Sequence, residues 1–161
     1  KKVDEKAEEV EEMIMRTLED TMNIVKVTKI KPSRVCYYAS SEWKWDAYLK
    51  ALEIFGTSAM DIGGLMKRLI EEPSMKKVSK ELYRFVQKIH EEIRKMPPEL
   101  RQRRLRIKVL DELNALKNST KFFEEELGVK VEVYNEEDSK RFDPMNRANL
   151  AQPYRPAIYI S

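Results

Sequence analysis

Three short runs of β-type residues limit what this chain can become: RVCYYAS at 34–40, VKVEVYN at 129–135 and AIYIS at 157–161. Each is rich in β-branched and aromatic residues. The first two are separated by a long stretch, 41–128, whose apolar residues recur at helical spacing. A sheet built from these runs must therefore close over a large sequence distance, with helices filling the interval. The pattern predicts an α+β fold: a small three-stranded sheet with about four helices on one face, preceded by a long N-terminal helix.

The N-terminal helix is expected over 4–27, with an apolar row of Val3, Ala7, Val10, Ile14, Leu18, Met22 and Val25. One long amphipathic helix is not stable alone and needs a partner. A linker, KVTKIKPSR, leads to the first strand. EWKWDAYLKALEIFG then reads as a helix closed by Gly56, and TSAMDIGGLMKRLIEEP as a second, with Ser58 and Asp61 at capping-box spacing. Its Gly63–Gly64 pair suggests the close approach of another element. A third helix is expected over 77–96, ended by Pro97–Pro98. A fourth should run from there to Gly128 on a seam of Val109, Leu113, Leu116, Thr120, Phe123 and Leu127. Residues 136–153 read as a loop with a helical turn near 145–151. The expected organisation is a helical segment at 1–30 and an α+β domain at 31–161.

Composition excludes several classes. No run approaches the ~18–20 apolar residues of a membrane span, and the opening KKVDEKAEEVEE has no apolar signal core. The single cysteine, Cys36, excludes an internal disulfide; it reads as a small buried hydrophobe, and a cytoplasmic location is expected. The one histidine, His90, sits in KIHEEIRK, where Arg94 replaces the second ligand of an HExxH motif. The run EED at 136–138 lacks EF-hand spacing. KKVSKE at 76–81 approaches a KMSKS nucleotide-loop signature, but Val78 falls in phase with a helix and no HIGH-like partner lies upstream. No catalytic residue, metal site or bound cofactor is assigned.

Charge is more informative. The net charge is only +3, yet residues 76–108 carry twelve bases against four acids, while residues 1–20 carry four bases against eight acids. Lys77, Lys80, Arg84 and Lys88 share one helical stripe. Arg101, Arg104 and Lys108 form a second, with Arg103 and Arg106 beside it. Such a stripe suits phosphate, whose neutralisation releases counterions; a solvated helix face is the other reading. Near the last strand, Tyr154, Pro156 and Tyr159 could stack on unpaired bases.

Several stretches taken together resemble a known family: VTKIKPSRVCYYAS, SEWKWDAYLKAL, IGGLMKRLIEEP, RFVQKIHEEIRKMPPELR, FFEEELGVKVEVYNEED and RPAIYIS. The ordered set is similar to the C-terminal region of leucyl-tRNA synthetases of the archaeal and eukaryotic type, over nearly the whole chain. The resemblance implies a noncatalytic piece of a longer, monomeric, cytoplasmic ligase. ATP and Mg²⁺ would bind in the absent catalytic part. The helix at 4–27 would close the anticodon-binding bundle. The rest would hold tRNA(Leu) at its long variable arm and elbow, with Arg155, Pro156, Tyr159, Ile160 and Ser161 near the arm's tip. The alternative from another class is a helical protein-interaction module with an incidental basic surface. Salt-sensitive binding to long-arm tRNA separates the two.

Overall fold

The first β-type run lacks the alternation of a half-buried strand, and the computed structural model, which describes residues 4–161, explains why. Strand β1, Arg34–Ala39, is the centre of a three-stranded sheet of order β2-β1-β3. Strand β2, Lys130–Asn135, runs parallel to it, with Val35 opposite Val131. Strand β3, Ala157–Ile160, runs antiparallel, with Val35 opposite Ile160 and Tyr38 opposite Ala157. A central strand covered on both faces must be apolar at every position, and Val35 to Ala39 are all buried.

The two faces are covered differently. Val35, Tyr37 and Ala39, flanked by Val131, Val133, Ile158 and Ile160, meet three helices: α1 (Glu5–Thr28), α7 (Glu112–Asn118) and α8 (Thr120–Leu127). Phe123 sits 4.8 Å from Tyr37, ring centre to ring centre. Cys36 and Tyr38, with Tyr134 and Tyr159 beside them, are covered by Phe142, Ala148 and Ala151 from the loop, which carries one short 3₁₀ turn at Ala148–Leu150. Helices on one face and a loop on the other is the expected α+β arrangement.

Helix α1 buries a face rotated from the one that hydropathy alone selects. Met13, Ile14, Thr17, Leu18 and Thr21 point inward, while Ala7 and Met22 are exposed. Val3, the first residue of the expected row, lies outside the described residues. The two threonines are tolerated because each hydroxyl donates to the carbonyl four residues back, at 2.7 Å. Thr21 also shares a 2.6 Å hydrogen bond with the buried Tyr37 hydroxyl. Asp4 caps the helix by accepting from the Ala7 amide, and Lys29 closes it at φ 58°.

Packing divides the chain into two compact units: Lys1–Ser41 with Leu110–Ser161, and Glu42–Val109. The second unit is wholly helical, with α2 (Glu42–Thr57), α3 (Ile62–Leu69), α4 (Pro73–Lys76), α5 (Ser79–Lys95) and α6 (Pro98–Ile107). Its core holds Tyr48, Leu52, Leu65, Leu82, Ile89 and Ile93.

More helices appear than the periodicity suggests, and capping chemistry accounts for the breaks. Asp61, not Ser58, caps α3, accepting from the Gly64 amide at 2.7 Å. A β-carbon at Gly63 would meet only the Asp61 carboxylate, at 3.7 Å, so no other element approaches there. The helix expected over 77–96 begins at Ser79 as α5, and a separate short turn, α4, precedes it. The helix expected to run on to Gly128 stops at Ile107, where Lys108 takes φ 65°. Asp111 then caps α7 through the Asn114 amide, at 3.2 Å. Leu110 is buried and Val109 is exposed, the reverse of the seam.

Candidate nucleic-acid interface

Helix α5 displays its stripe because its opposite face is fully used. Leu82, Phe85, Val86, Ile89 and Ile93 are buried. Lys77, just before the helix, and Lys80, Arg84 and Lys88 within it are therefore all exposed. Among the described residues none of the four has a carboxylate within ion-pair distance. Eight residues at about 1.5 Å rise put roughly 12 Å between Lys80 and Lys88.

Two of the three acids on this helix, Glu91 and Glu92, lie within ion-pair distance of cations, while Glu81 is exposed beside the stripe. Glu91 accepts from Arg94 Nη2 at 2.7 Å and lies 3.2 Å from Lys95 Nζ. Hydrogen bonds, first from Arg94 and then from Lys95, hold its carboxyl at about 2. That cluster keeps one net positive charge, and among the described residues Glu81, the one acid bordering the Lys77–Lys88 ridge, makes no ion pair with it.

The second stripe does not survive as expected. Arg104 is buried, and its Nη1 donates to the Tyr48 hydroxyl at 2.6 Å and lies 3.5 Å from Glu92 Oε1. Its guanidinium belongs to the core of the helical unit. Arg101 and Arg103 are half-buried, and Lys108 is exposed at the strained end of α6. Lys108 also borders a cleft of about 490 Å³ lined by Asp46, Lys50, Glu53 and Glu72. Burial first, then Glu42 and Glu72, raises the Asp46 carboxyl above its ordinary value.

The terminal group sits in the sheet unit. Gln152–Arg155 forms a tight turn: the Gln152 amide donates to the Arg155 carbonyl at 2.9 Å, and the reverse bond measures 2.8 Å. Pro153 takes its second position and Tyr154 its third, at φ 69°, where glycine is usual. Two contacts hold this backbone. The buried Glu112 carboxylate accepts from the Tyr154 amide at 2.8 Å, and Arg16 Nη1 donates to the Tyr154 carbonyl at 3.5 Å. Arg155 is exposed beside the turn and Pro156 is buried. Tyr159 and Ile160 are half-buried.

Ser161 is exposed but tethered, because Ser33 N, Arg34 N and Ser33 Oγ donate to its oxygen at 2.7, 3.2 and 3.0 Å. The Ser161 amide donates to the Arg34 carbonyl at 3.0 Å. This reciprocal pair sets the phase of the antiparallel ladder. Ala157, Tyr159 and Ser161 turn their amides and carbonyls toward β1, so those of Ile158 and Ile160 point to the open edge.

Three contributors escaped the sequence. Glu112 reads as one more surface acid in a helix. Arg34 forms a two-pronged pair with Glu132, Nη2 to Oε1 at 2.8 Å, and its guanidinium lies 3.6 Å from the Phe142 ring centre. The Arg34 hydrogen bond holds the Glu132 carboxyl below its ordinary value. Tyr83, 48% exposed on α5, breaks the apolar periodicity, and that mismatch was the one available signal.

The other chemistry-bearing residues are structural. His90 bonds the Met60 carbonyl through Nε2 at 2.7 Å and packs on Phe55. Cys36 is fully buried, which raises its thiol. Asp143 accepts from the Arg147 and Ala148 amides. Among the described residues no cluster of metal-ligating side chains occurs, and no helix is long and apolar enough to cross a membrane.

No family model matches the chain. It is 41% identical over 158 residues to a leucine–tRNA ligase of Methanosarcina barkeri, covering 98% of this chain and 16% of that protein. It is 40% identical to the leucine–tRNA ligase of Methanococcoides burtonii over the same shares. The chain matches the C-terminal region of the archaeal leucine–tRNA ligases. A leucine–tRNA ligase of Pyrococcus abyssi, at 30% identity over 97% of the chain, extends the similarity to a more distant relative. The chain spans about a sixth of the length of the ligases it matches.

Proposed function

We propose that this chain is the noncatalytic, tRNA-recognising C-terminal region of a leucine–tRNA ligase. It binds tRNA(Leu) at the long variable arm and elbow and so supports leucine attachment by the whole enzyme. The observation that carries the reading is the exposed ridge of Lys77, Lys80, Arg84 and Lys88, none of them in an ion pair among the described residues, in a chain of this similarity. Arg101, Arg103 and Lys108 add charge on α6, whereas Arg104 is withdrawn as a phosphate contact because it is buried.

The terminal strand supplies a second kind of contact. Arg155 is exposed for phosphate, and the outward backbone groups of Ile158 and Ile160 can meet base edges. The parent's catalytic and editing chemistry, with its ATP and Mg²⁺, belongs to parts of the ligase outside this chain. The enzyme is expected to act as a cytoplasmic monomer.

The remaining ligase is also a partner. Helix α1 exposes Met15, Met22, Ile24 and Val27 away from the sheet, which suits its place as the last helix of an adjoining bundle. A groove of about 660 Å³, lined by Val10, Ile14, Met15 and Phe122, favours the same use and equally the alternative of a protein-interaction module.

The test is binding of a long-variable-arm tRNA transcript across a salt series, beside a transcript with the arm shortened. Tight, salt-sensitive binding that weakens on shortening supports the reading. Equal affinity for the two transcripts refutes recognition of the arm.

A further inference from the structure

We propose that Tyr83 is a stacking platform for one unpaired RNA base, with Lys80 and Arg84 holding the phosphates on either side of it. The inference deepens the RNA-binding reading above and rests on it.

Tyr83 is not part of the buried face of α5. The core face of α5 is complete without it, and its side chain is 48% exposed. Among the described residues it makes no hydrogen bond, ring contact or cation contact. An isolated exposed aromatic is unremarkable on its own; its neighbours give this one meaning. Positions three back and four forward on a helix lie beside a residue, and here they are Lys80 and Gln87, with Arg84 next in sequence. All three are exposed.

The chemistry selects the occupant. An apolar protein surface laid on Tyr83 would desolvate Lys80 and Arg84 without compensation. A nucleotide brings a π-face for the ring and phosphates for the two cations. Gln87 adds an amide that can donate to or accept from a base edge. The acids leave both cations without an ion pair among the described residues: Glu91 is engaged by Arg94 and Lys95, and Glu81, one turn before Arg84, is not paired with it. Duplex RNA hides its base faces, so the site selects an unstacked nucleotide in a loop or bulge.

The test uses the 161-residue chain and a long-variable-arm tRNA transcript, with affinity measured across a salt series. Tyr83→Ala should weaken binding about 5- to 150-fold, the range for losing one stacked base, and leave the salt slope unchanged. Tyr83→Phe should retain wild-type affinity. Lys80→Ala and Arg84→Ala should each reduce the slope by about one. A transcript carrying 5-iodouridine in its arm loop should photocrosslink to Tyr83.

If Tyr83→Ala binds like wild type while the Lys80 and Arg84 variants lose slope, the platform is refuted and the RNA reading stands. If none of the three changes binding, both fall. Equal losses from Tyr83→Phe and Tyr83→Ala would mean that the phenol hydroxyl acts, not the ring face, and would also overturn the proposal. So would a Tyr83→Ala variant that keeps RNA affinity but impairs charging when built into the whole ligase, because that marks a protein dock.

Discussion

Arg104 and Arg101 look equivalent in sequence and should behave oppositely when replaced. Arg104 is 6% exposed, and its Nη1 donates to a Tyr48 hydroxyl that is itself fully buried. Arg104→Ala removes that buried hydrogen bond, at about 1–3 kcal/mol. It also strips two buried methylenes, at roughly 0.8 kcal/mol each. The Glu92 pair adds little, since that carboxylate is one-third exposed and can rehydrate. The total is about 3 kcal/mol, which for a chain of this length lowers the melting temperature by roughly 10 °C. Arg104→Met keeps the stem and should lose only the hydrogen-bond part. Arg101→Ala should melt within about 0.5 kcal/mol of wild type and reduce the salt slope of RNA binding by about one. Thermal unfolding by circular dichroism, followed by binding at several salt concentrations, separates the two. An Arg104→Ala protein that melts normally and loses one unit of slope would refute the inward placement of that guanidinium.

Burial pushes the Tyr37 phenol up to about 12, against about 10 for an exposed tyrosine. The native state therefore holds its proton when the unfolded chain has lost it. The corresponding stability, about 2–3 kcal/mol, is complete below pH ~10 and is lost as pH rises toward 12. Alkaline unfolding should be less steep in Tyr37→Phe, as followed by tyrosinate absorbance and circular dichroism. Glu112→Ala deprives the buried Tyr154 amide of its acceptor and should destabilise the sheet unit by about 1–3 kcal/mol. Glu112→Gln, which keeps a carbonyl oxygen, should recover most of that in a denaturant titration. Gly63→Ala should stabilise by up to about 0.5–1 kcal/mol, because only the Asp61 carboxylate lies near the added methyl group; a lower melting temperature would reveal a neighbour closer than the structure places one.

What was legible in the sequence follows from the range of the interactions involved. The three strands could be read because β-branched and aromatic runs carry a local signal. The α5 stripe could be read because a long helix with a strongly apolar face has only one way to turn. Helix α6 is a single short element in which Arg104 finds Tyr48, fifty-six positions back in the chain. No spacing rule reports such a partner, so its cation looked like its neighbours. Thr17 and Thr21 carry no apolar signal of their inward position, for a related reason: their hydroxyls are satisfied by carbonyls of the same helix and by Tyr37. The two-unit division was hidden because the helices on the sheet, α7 and α8, and those of the separate unit follow one another without a composition change. Only caps such as Asp111 mark the seam.

Apart from Arg155, the two kinds of contact proposed for RNA lie in different units and should be separable thermodynamically. Phosphate contacts release counterions, so the α5 ridge in the helical unit should govern how steeply affinity falls with salt. Backbone groups of Ile158 and Ile160 carry no net charge, so they should contribute a nearly salt-independent increment and most of the preference among arm sequences. Their usefulness depends on rigidity, because a base edge can be read only by donors and acceptors already in position. That rigidity is built at both ends of β3. Ser161 is bonded to Ser33 and Arg34, and the Tyr154 turn is held by Glu112 and Arg16. Glu112→Ala, which removes no proposed RNA-contacting group itself, should therefore reduce discrimination between long-arm sequences while leaving most of the salt slope intact. Lys77→Ala should do the reverse. If both variants change slope and discrimination together, the contacts are not divided between the units and the proposed assignment of roles fails.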